Sequence, residues 1–394
     1  MQKTPSGLRP HILLLGRRNT GKSSLLNALT DQPLAVVSEI AGTTTDPVRK
    51  GFELLPYGPV VFIDAGGIDD KGVLGEKRVY KTRKELACAD FVLFIAEPEN
   101  WTKLEDDSLR ELKQKQIPHM VVINKHDLKT TWKAPLKDAH YVSAKTGHNV
   151  IKLREELARR LEKIASRRTG IIGDLVKKDD LVILVVPIDL EAPQGRIILP
   201  QVMAIRDILD KSGAALVVKE TELTSVLNML KRQPSLVVCD SQVVFKVDRE
   251  LPKNIPFTTF SILSARMKGD LDEFVLGAKR IDDLRDGDKV LIAEACSHHV
   301  LGDDIARIKI PKWIRAYNGK DIIYEHAQGR HYPDDIEKYR LVIHCGGCMI
   351  TPKAMRTRMD EALGRGVPIT NYGVTISYVH GVLVRVLRPF KEML

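Results

Sequence analysis

The sequence predicts an α/β protein of three domains in series, and three observations carry that expectation. The apolar run His11–Leu15 leads directly into a glycine-rich loop and then a helical pattern, the order of a strand, a loop and a helix. Between residues 181 and 239, short apolar runs alternate with amphipathic stretches, the pattern of a layered fold with a largely parallel sheet. In the last third, Val290–Ala293 runs toward Cys296-Ser297-His298, and two more cysteines follow in His344-Cys345-Gly346-Gly347-Cys348. A chain of 394 residues exceeds what one hydrophobic core ordinarily organises. The expected boundaries are 1–168, 169–267 and 268–394.

Composition narrows the class. With 43% hydrophobic and 28% charged residues and no low-complexity block, the chain reads as globular throughout. The segment Met1–Pro10 is polar and runs into the first strand, so neither a signal peptide nor a membrane span is expected, and a cytoplasmic protein is. Five cysteines, three of them in one motif, do not make a disulfide framework, which fits a reducing compartment. The net charge of +10 would suit an acidic partner. Its basic residues are interleaved with acids, as in Arg154-Glu155-Glu156, and the stretch Arg159–Arg168 reads as a solvated helix face. With no RRM or KH signature and 5% aromatic residues, nucleic acid is not the expected partner.

The loop after the first strand is Gly16-Arg17-Arg18-Asn19-Thr20-Gly21-Lys22-Ser23-Ser24. Its strand, loop and helix context is the one a phosphate-binding loop requires. Backbone N–H groups of Asn19 to Lys22 would cradle phosphates at the helix N-terminus. Lys22 would neutralise β and γ oxygens, and Ser23 would take a magnesium position. Further along, Asn124-Lys125-His126-Asp127 follows an apolar run. A carboxylate at Asp127 accepts from N1–H and the exocyclic amine of guanine, whereas adenine presents the opposite pattern there, so GTP is the expected nucleotide. Ser143-Ala144-Lys145 is a second guanine-contacting turn. Asp64-Ala65-Gly66-Gly67 follows Val60–Ile63, so Asp64 can hold the magnesium shell and Gly67 can reach the γ-phosphate. Ile40–Asp46, with Thr43 and Thr44, supplies the remaining switch.

These four motifs, in this order, resemble the GTPases of the TrmE, Era and EngA group over about the first 168 residues. Ile68 follows Gly67, so the glutamine that orients water in Ras-like enzymes is missing and slow hydrolysis is expected. The resemblance implies that Asn19 helps to hold a potassium ion, as in that group's potassium-dependent members. The group's Gly-Thr-Thr-Arg-Asp is Gly42-Thr43-Thr44-Thr45-Asp46 in this chain, with Thr44 the expected second magnesium ligand beside Ser23.

In the middle domain, strands are expected at Leu181–Val186, Ala214–Val218 and Leu236–Cys239, with a short one at Arg196–Leu199, and helices at about 201–209 and 224–231. No catalytic constellation falls there, which leaves spacing and self-association as its work. Cys239 reads as a packed thiol, and Cys88 as a core residue. In the last domain, Cys296-x-His298, a gap of about 45 residues and His344-Cys345-x-x-Cys348 match neither zinc-finger nor ferredoxin spacing. Two readings of the residue types stand: a zinc site stapling two loops, or a cubane cluster with one iron open or weakly ligated.

A TrmE-like nucleotide domain, an α/β spacer and this C-terminal motif together resemble the HydF family, the maturation GTPases of FeFe-hydrogenase, across essentially all 394 residues. The resemblance implies a 4Fe-4S cluster on Cys296, Cys345 and Cys348, with His298 and His344 as candidates for the fourth ligand. It implies a scaffold that takes a di-iron precursor from the radical-SAM maturases HydE and HydG, passes it to the apo-hydrogenase, and dimerises through its middle domain. The alternative is a TrmE- or Era-like GTPase of RNA modification or ribosome assembly whose cysteines hold zinc.

Overall fold

The computed structural model describes residues 6–32, 47–70, 72–128, 131, 135–165, 170–188, 197–295, 304–329 and 332–390. The chain divides into two compact units, Met1–Arg168 and Thr169–Leu394.

The first unit is built on strands β1 (His11–Leu15), β2 (Val48–Leu54), β3 (Gly58–Asp64), β4 (Phe91–Ala96), β5 (His119–Ile123) and β6 (His140–Tyr141). They lie in the order β2-β3-β1-β4-β5-β6, with β2 antiparallel to β3 and the other pairings parallel. Its helices are α1 (Lys22–Thr30), α2 (Gly72–Cys88), α3 (Lys103–Gln114) and α4 (Val150–Ala165). A central parallel strand is covered on both faces, which is why β1 is an unbroken apolar run rather than an alternating one. Ile12 and Leu14 pack with Leu25, Leu29 and Leu157, while Leu13 and Leu15 pack on the opposite side with Leu86, Phe94 and Leu112.

The second unit holds two four-stranded sheets. One contains β7 (Leu181–Val185), β8 (Ala214–Val218), β9 (Leu236–Cys239) and β10 (Phe257–Thr259), in the order β10-β9-β7-β8 and parallel throughout. Helices α5 (Leu199–Asp210), α6 (Leu223–Met229), α7 (Val244–Glu250) and α8 (Phe260–Lys268) alternate with these strands. The other sheet contains β11 (Lys289–Glu294), β12 (Ile323–Gln328), β13 (Leu341–His344) and β14 (Ile369–Asn371), in the order β12-β11-β13-β14 and again parallel. Its helices are α9 (Leu271–Lys279), α10 (Ile310–Asn318), α11 (Pro352–Gly364), α12 (Tyr372–Val379) and α13 (Leu383–Leu387). The observed class is the expected one, α/β with parallel sheets. No helix among the described residues is long and apolar enough to cross a membrane.

Two expectations need correction. The strand at Arg196–Leu199 is not formed by its described residues: Leu199 and Pro200 open α5, and the Ile198 N–H is capped by Gln201 Oε1 at 2.9 Å. Proline suits a first helical turn because its missing N–H has no partner there in any case. Cys88 ends α2 half-buried, and its neighbour Ala89 takes the interior position instead. Cys239 is fully buried at the end of β9, and burial drives its thiol pKa up.

Close approach of α9 to β14 depends on Gly277, where an added Cβ would lie 1.9 Å from the Ile369 carbonyl oxygen. Gly277→Ala is therefore expected to destabilise the second unit by about 3 kcal/mol, since backbone on both sides must move. Gly364→Ala, whose Cβ would meet nothing within 4 Å, is the matched control and leaves the urea midpoint essentially unchanged. On β12, Glu325 accepts from Tyr339 Oη at 2.6 Å and from Lys289 and Lys338, each at 2.9 Å, and these partners hold its carboxyl down at about 2. A depressed folded-state pKa adds stability above the unfolded value, about 4.3, and loses it as pH falls toward 2. Glu325→Gln should flatten the fall in urea midpoint between pH 5 and pH 2.5 relative to the parent chain.

Candidate functional site

In the first unit the loop after β1 and the segment after β3 meet at the carboxyl ends of adjacent parallel strands, where ligands bind in open α/β sheets. Gly16 must lack a side chain, because a Cβ there would fall 2.1 Å from Ile95 O. Asn19 (φ 61°) and Gly21 (φ 83°) take the left-handed conformation that curls the loop before α1. Lys22 is buried, and its Nζ donates to Gly16 O at 3.2 Å and Arg17 O at 2.7 Å, while Thr20 Oγ1 donates to Arg17 O at 3.0 Å. Burial lowers the Lys22 pKa. Ser23 Oγ donates to Asp64 Oδ2 at 2.6 Å, with Ser24 beside it in the first turn of α1. Burial raises the Asp64 carboxyl pKa against the opposing pull of that bond and of the Lys22 charge. Gly67 sits so close to the loop that a Cβ would lie 2.7 Å from Arg18 N.

Asn124 ties the loop to the expected base-contacting turns. Its Nδ2 donates to Thr20 O at 2.9 Å, and its Oδ1 accepts from Ala144 N at 3.0 Å. Ser143 Oγ donates to Asp127 Oδ1 at 2.6 Å, holding that half-buried carboxyl below its ordinary range, with the Lys145 charge adding to the effect. Lys125 takes a left-handed backbone (φ 62°) and pairs with Glu97 at 2.5 Å. The structure thus gathers Gly16 to Ser24, Asp64, Gly67, Asn124, Lys125, Asp127 and Ser143 to Lys145 around one loop. Thr43 and Thr44 lie outside the described residues.

Two contacts at this loop were not expected. Arg17 Nε donates to Glu105 Oε1 at 2.5 Å and its Nη2 to Glu105 Oε2 at 3.0 Å. Thr102 and Glu105 are legible as the capping box of α3, but nothing local marks that box as an anchor for Arg17. Asp69 Oδ1 accepts the Arg18 N–H at 2.7 Å, a bond between the segment after Gly67 and the loop.

In the second unit the cysteine turn follows β13. Cys345 N donates to Ala293 O at 2.8 Å and Cys345 Sγ accepts from Ala295 N at 3.3 Å, so the described end of the β11 chain reaches the sulfur one residue before Cys296. Gly347 has φ 61°, and a Cβ there would lie 2.5 Å from Met355 Cε. Cys345 is half-buried with its thiol pKa raised by burial, and Cys348 is exposed. Lys268 Nζ donates to Gly347 O at 2.6 Å and Ile350 O at 3.1 Å, and burial lowers its pKa to about 8.

His344 departs from expectation as a candidate ligand. It is fully buried; its Nε2 accepts from Arg358 Nε at 2.7 Å and its Nδ1 faces Cys345 O at 2.6 Å. Burial pushes its pKa down to about 3, so the ring is neutral and both nitrogens are engaged. Cys296 and His298 lie outside the described residues. Among the described residues no group of three His, Cys, Asp or Glu side chains is gathered to hold a metal. The chemistry present nonetheless fits a metal-thiolate group: two thiols on one glycine turn, an N–H aimed at a sulfur, and a buried cation beneath the turn.

Residues 171–269 match the hydrogen maturase F dimerization domain, and residues 272–389 match the hydrogen maturase F tetramerization domain. The chain belongs to the hydrogen maturase F family. Residues 11–125 match the family described as 50S ribosome-binding GTPase. Among curated relatives, the tRNA modification GTPase MnmE of Prochlorococcus marinus (strain NATL1A) is 38% identical over 154 residues, 36% of this chain and 32% of the relative. MnmE of Legionella pneumophila (strain Paris) is 37% identical over 150 residues, 36% of this chain and 33% of the relative. The chain thus spans about a third of the length of these relatives. A solved structure of Era in complex with MgGDPNP and nucleotides 1506–1542 of 16S ribosomal RNA is similar at 26% identity and a TM-score of 0.34, covering 38% of this chain and 56% of that one. The maturase thus carries a GTPase domain followed by two domains described as oligomer-forming. The second of these contains Cys345 and Cys348.

Asn124 acts as a strut independently of any nucleotide, because it satisfies the Thr20 carbonyl and the Ala144 N–H. Asn124→Ala is expected to cost about 2 kcal/mol in the nucleotide-free protein. Scanning calorimetry without nucleotide checks this; an unchanged transition for the first unit would confine Asn124 to contact with the base.

Proposed function

We propose that this chain is a GTP-hydrolysing iron-sulfur scaffold, which receives a di-iron precursor from HydE and HydG and delivers it to the apo-hydrogenase. The observation that carries the reading is the Cys345–Cys348 turn, set against the end of β11 in a domain specific to the hydrogen maturase F family. Cys296, Cys345 and Cys348 would hold a 4Fe-4S cluster. With both nitrogens of His344 engaged, His298 is the histidine retained as a candidate fourth ligand. When bound, the cluster supplies an iron-sulfur surface with an exchangeable position for the precursor. The protein would contribute a glycine turn that carries two cysteines, and an Ala295 N–H that can stabilise a charged sulfur at Cys345. Likeness to MnmE lies in the nucleotide domain, and this favours the maturase reading over RNA modification with a structural zinc.

In the nucleotide domain, the amides of Asn19 to Lys22 would bind phosphates, Lys22 the β and γ oxygens, and Ser23 with Thr44 the magnesium. Asp127, with Asn124, Lys125 and the Ser143–Lys145 turn, would select guanine. Asn19 would contribute to a potassium site that accelerates an otherwise slow hydrolysis, in keeping with Ile68 standing where glutamine orients water in other GTPases. GTP then acts as a switch on partner affinity through the segments following Gly42 and Gly66, which can sense the γ-phosphate. The edge strand β8, with Val217 exposed, and Val202 and Leu209 exposed on α5, support dimerisation through the middle domain, whose boundaries we keep at 169–267.

The test is iron, sulfide and zinc analysis with EPR on anaerobically reconstituted, dithionite-reduced protein. About four irons per chain are expected, with a reduced-cluster signal that Cys345→Ser abolishes. Stoichiometric zinc that resists replacement by iron would overturn the reading. In parallel, Lys22→Ala should abolish GTP turnover and hydrogenase maturation together; maturation that survives unchanged sinks the switch.

A further inference from the structure

Two cations are buried near the cysteine turn, and among the described residues no carboxylate is ion-paired with either. Lys268, the last residue of α8, is 3% exposed, and Arg358, on α11, is 2% exposed. Two of the three N–H bonds of Lys268 go to the Gly347 and Ile350 carbonyls. Arg358 directs Nε to His344 and Nη1 to Gly329 O at 3.3 Å, and lays its guanidinium 4.2 Å from the Tyr332 ring centroid. Its Nη2 is buried with no hydrogen-bond partner. Glu361, one turn further along α11, interacts with Arg365 instead, at 3.9 Å.

Carbonyl dipoles and an aromatic face offset only part of what burying a cation costs, which is several kcal/mol without a counter-ion. The negative charge able to act on Lys268 is that of Cys348 and Cys345, and Cys345 also feels Arg358. As thiols these groups are neutral. Among the described residues, the two cations are therefore balanced when the sulfurs carry charge, as they do on a metal.

We infer that Lys268 and Arg358 are the built-in counter-charges of an anionic metal-thiolate group on Cys345 and Cys348, and that they set how firmly it is held and how readily it is reduced. Neither is a ligand; both are positioning residues whose fixed charge acts through the sulfurs. The inference rests on the cluster reading above and adds the residues that tune it. Adding an electron makes the group more negative, so taking away a nearby positive charge must make reduction harder. Lys268 has a second, separable effect, because its two carbonyl bonds hold the shape of the turn.

Lys268→Gln separates the two effects, since an amide can still donate to a carbonyl while carrying no charge. Arg358→Lys keeps a charge while giving up the forked geometry. The experiment is anaerobic reconstitution of the full chain, followed by three readings: iron per chain, the rate at which a ferrous chelator strips iron, and an EPR-monitored redox titration. Lys268→Gln is expected to melt near the parent without iron, to lose iron several-fold faster, and to show about a tenfold lower reduced-to-oxidised ratio at a fixed potential. Arg358→Lys is expected to stay near the parent potential. The inference is overturned if Lys268→Gln strips at the parent rate and titrates at the parent potential. It is equally overturned if only the melting temperature moves, which would make Lys268 a structural strut. A parent chain that takes up no iron removes the cluster reading and this inference together, so the two failures are distinguishable.

Discussion

The parallel pairing of β11 with β13 is the constraint on which the second unit's chemistry depends. Its register sets Ala293 opposite His344. The residue after His344 then bonds through its N–H to Ala293 O, and Ala295 N–H returns to the Cys345 sulfur. Two stretches far apart in sequence thus leave the sheet side by side at its carboxyl edge. The chain continues from β11 to β12 on one side and from β13 to β14 on the other, which opens a crevice between them. Because Val290 to Ala293 and Leu341 to Ile343 are buried on both faces, their apolar pattern alone does not fix this register. A slip of one residue would instead separate the Cys345 N–H from Ala293 O and the Ala295 N–H from the Cys345 sulfur.

The first unit uses the same device with different parts. There β1 and β3 end together, and Ser23 and Asp64 meet across the gap at hydrogen-bond distance. The loop needs glycine at Gly16 because a backbone carbonyl lies against it, and the left-handed turn needs Gly21. Asn124 then fastens the loop to the turn at Ala144, so that residues proposed to read a base and residues proposed to hold phosphates move as one piece. The Arg17 to Glu105 bond adds a second tether from the opposite side of the loop, through the capped end of α3.

What was legible in the sequence follows from which forces are local. Unbroken apolar runs such as Leu181–Val185 and Leu236–Cys239 announce buried parallel strands, because both faces must be covered. The phosphate loop is legible because its glycines answer to steric demands within a few residues. Ile197 and Ile198 misled, since a short apolar run fits strand and helix alike and Pro200 opens a helix as readily as it follows a strand. Lys268 and Arg358 are not legible in the sequence: Lys268 reads as a basic last-turn residue at a helix C-terminus, and Arg358 as one more basic residue on a charged helix. A signal was available for Arg358. It falls four residues from both Ala354 and Ala362 on the buried stripe of α11, where a solvated arginine would not be placed. His344 shows what sequence leaves out: histidine beside cysteine invites a ligand reading, and only tertiary structure reveals that Arg358 Nε donates to its Nε2.

The two glycine turns share a further feature that local motif reading treats as unrelated. At the phosphate loop, Lys22 is buried and bonded to the Gly16 and Arg17 carbonyls. At the cysteine turn, Lys268 is buried and bonded to the Gly347 and Ile350 carbonyls. In each case an ammonium holds a tight loop together through its carbonyl oxygens. A carbonyl dipole satisfies the hydrogen-bonding need of the cation but not its charge. At Lys22 the carboxylates of Asp64, Asp69 and Asp70 act on that charge, whereas at Lys268 the groups that act on it are Cys348 and Cys345. On the reading proposed above, the cysteine turn gains most when its sulfurs become thiolates on a metal. Both loops are shaped around a lysine, and in that reading they differ in which added negative charge the lysine meets: the ligand's in one, that of the protein's own sulfurs in the other.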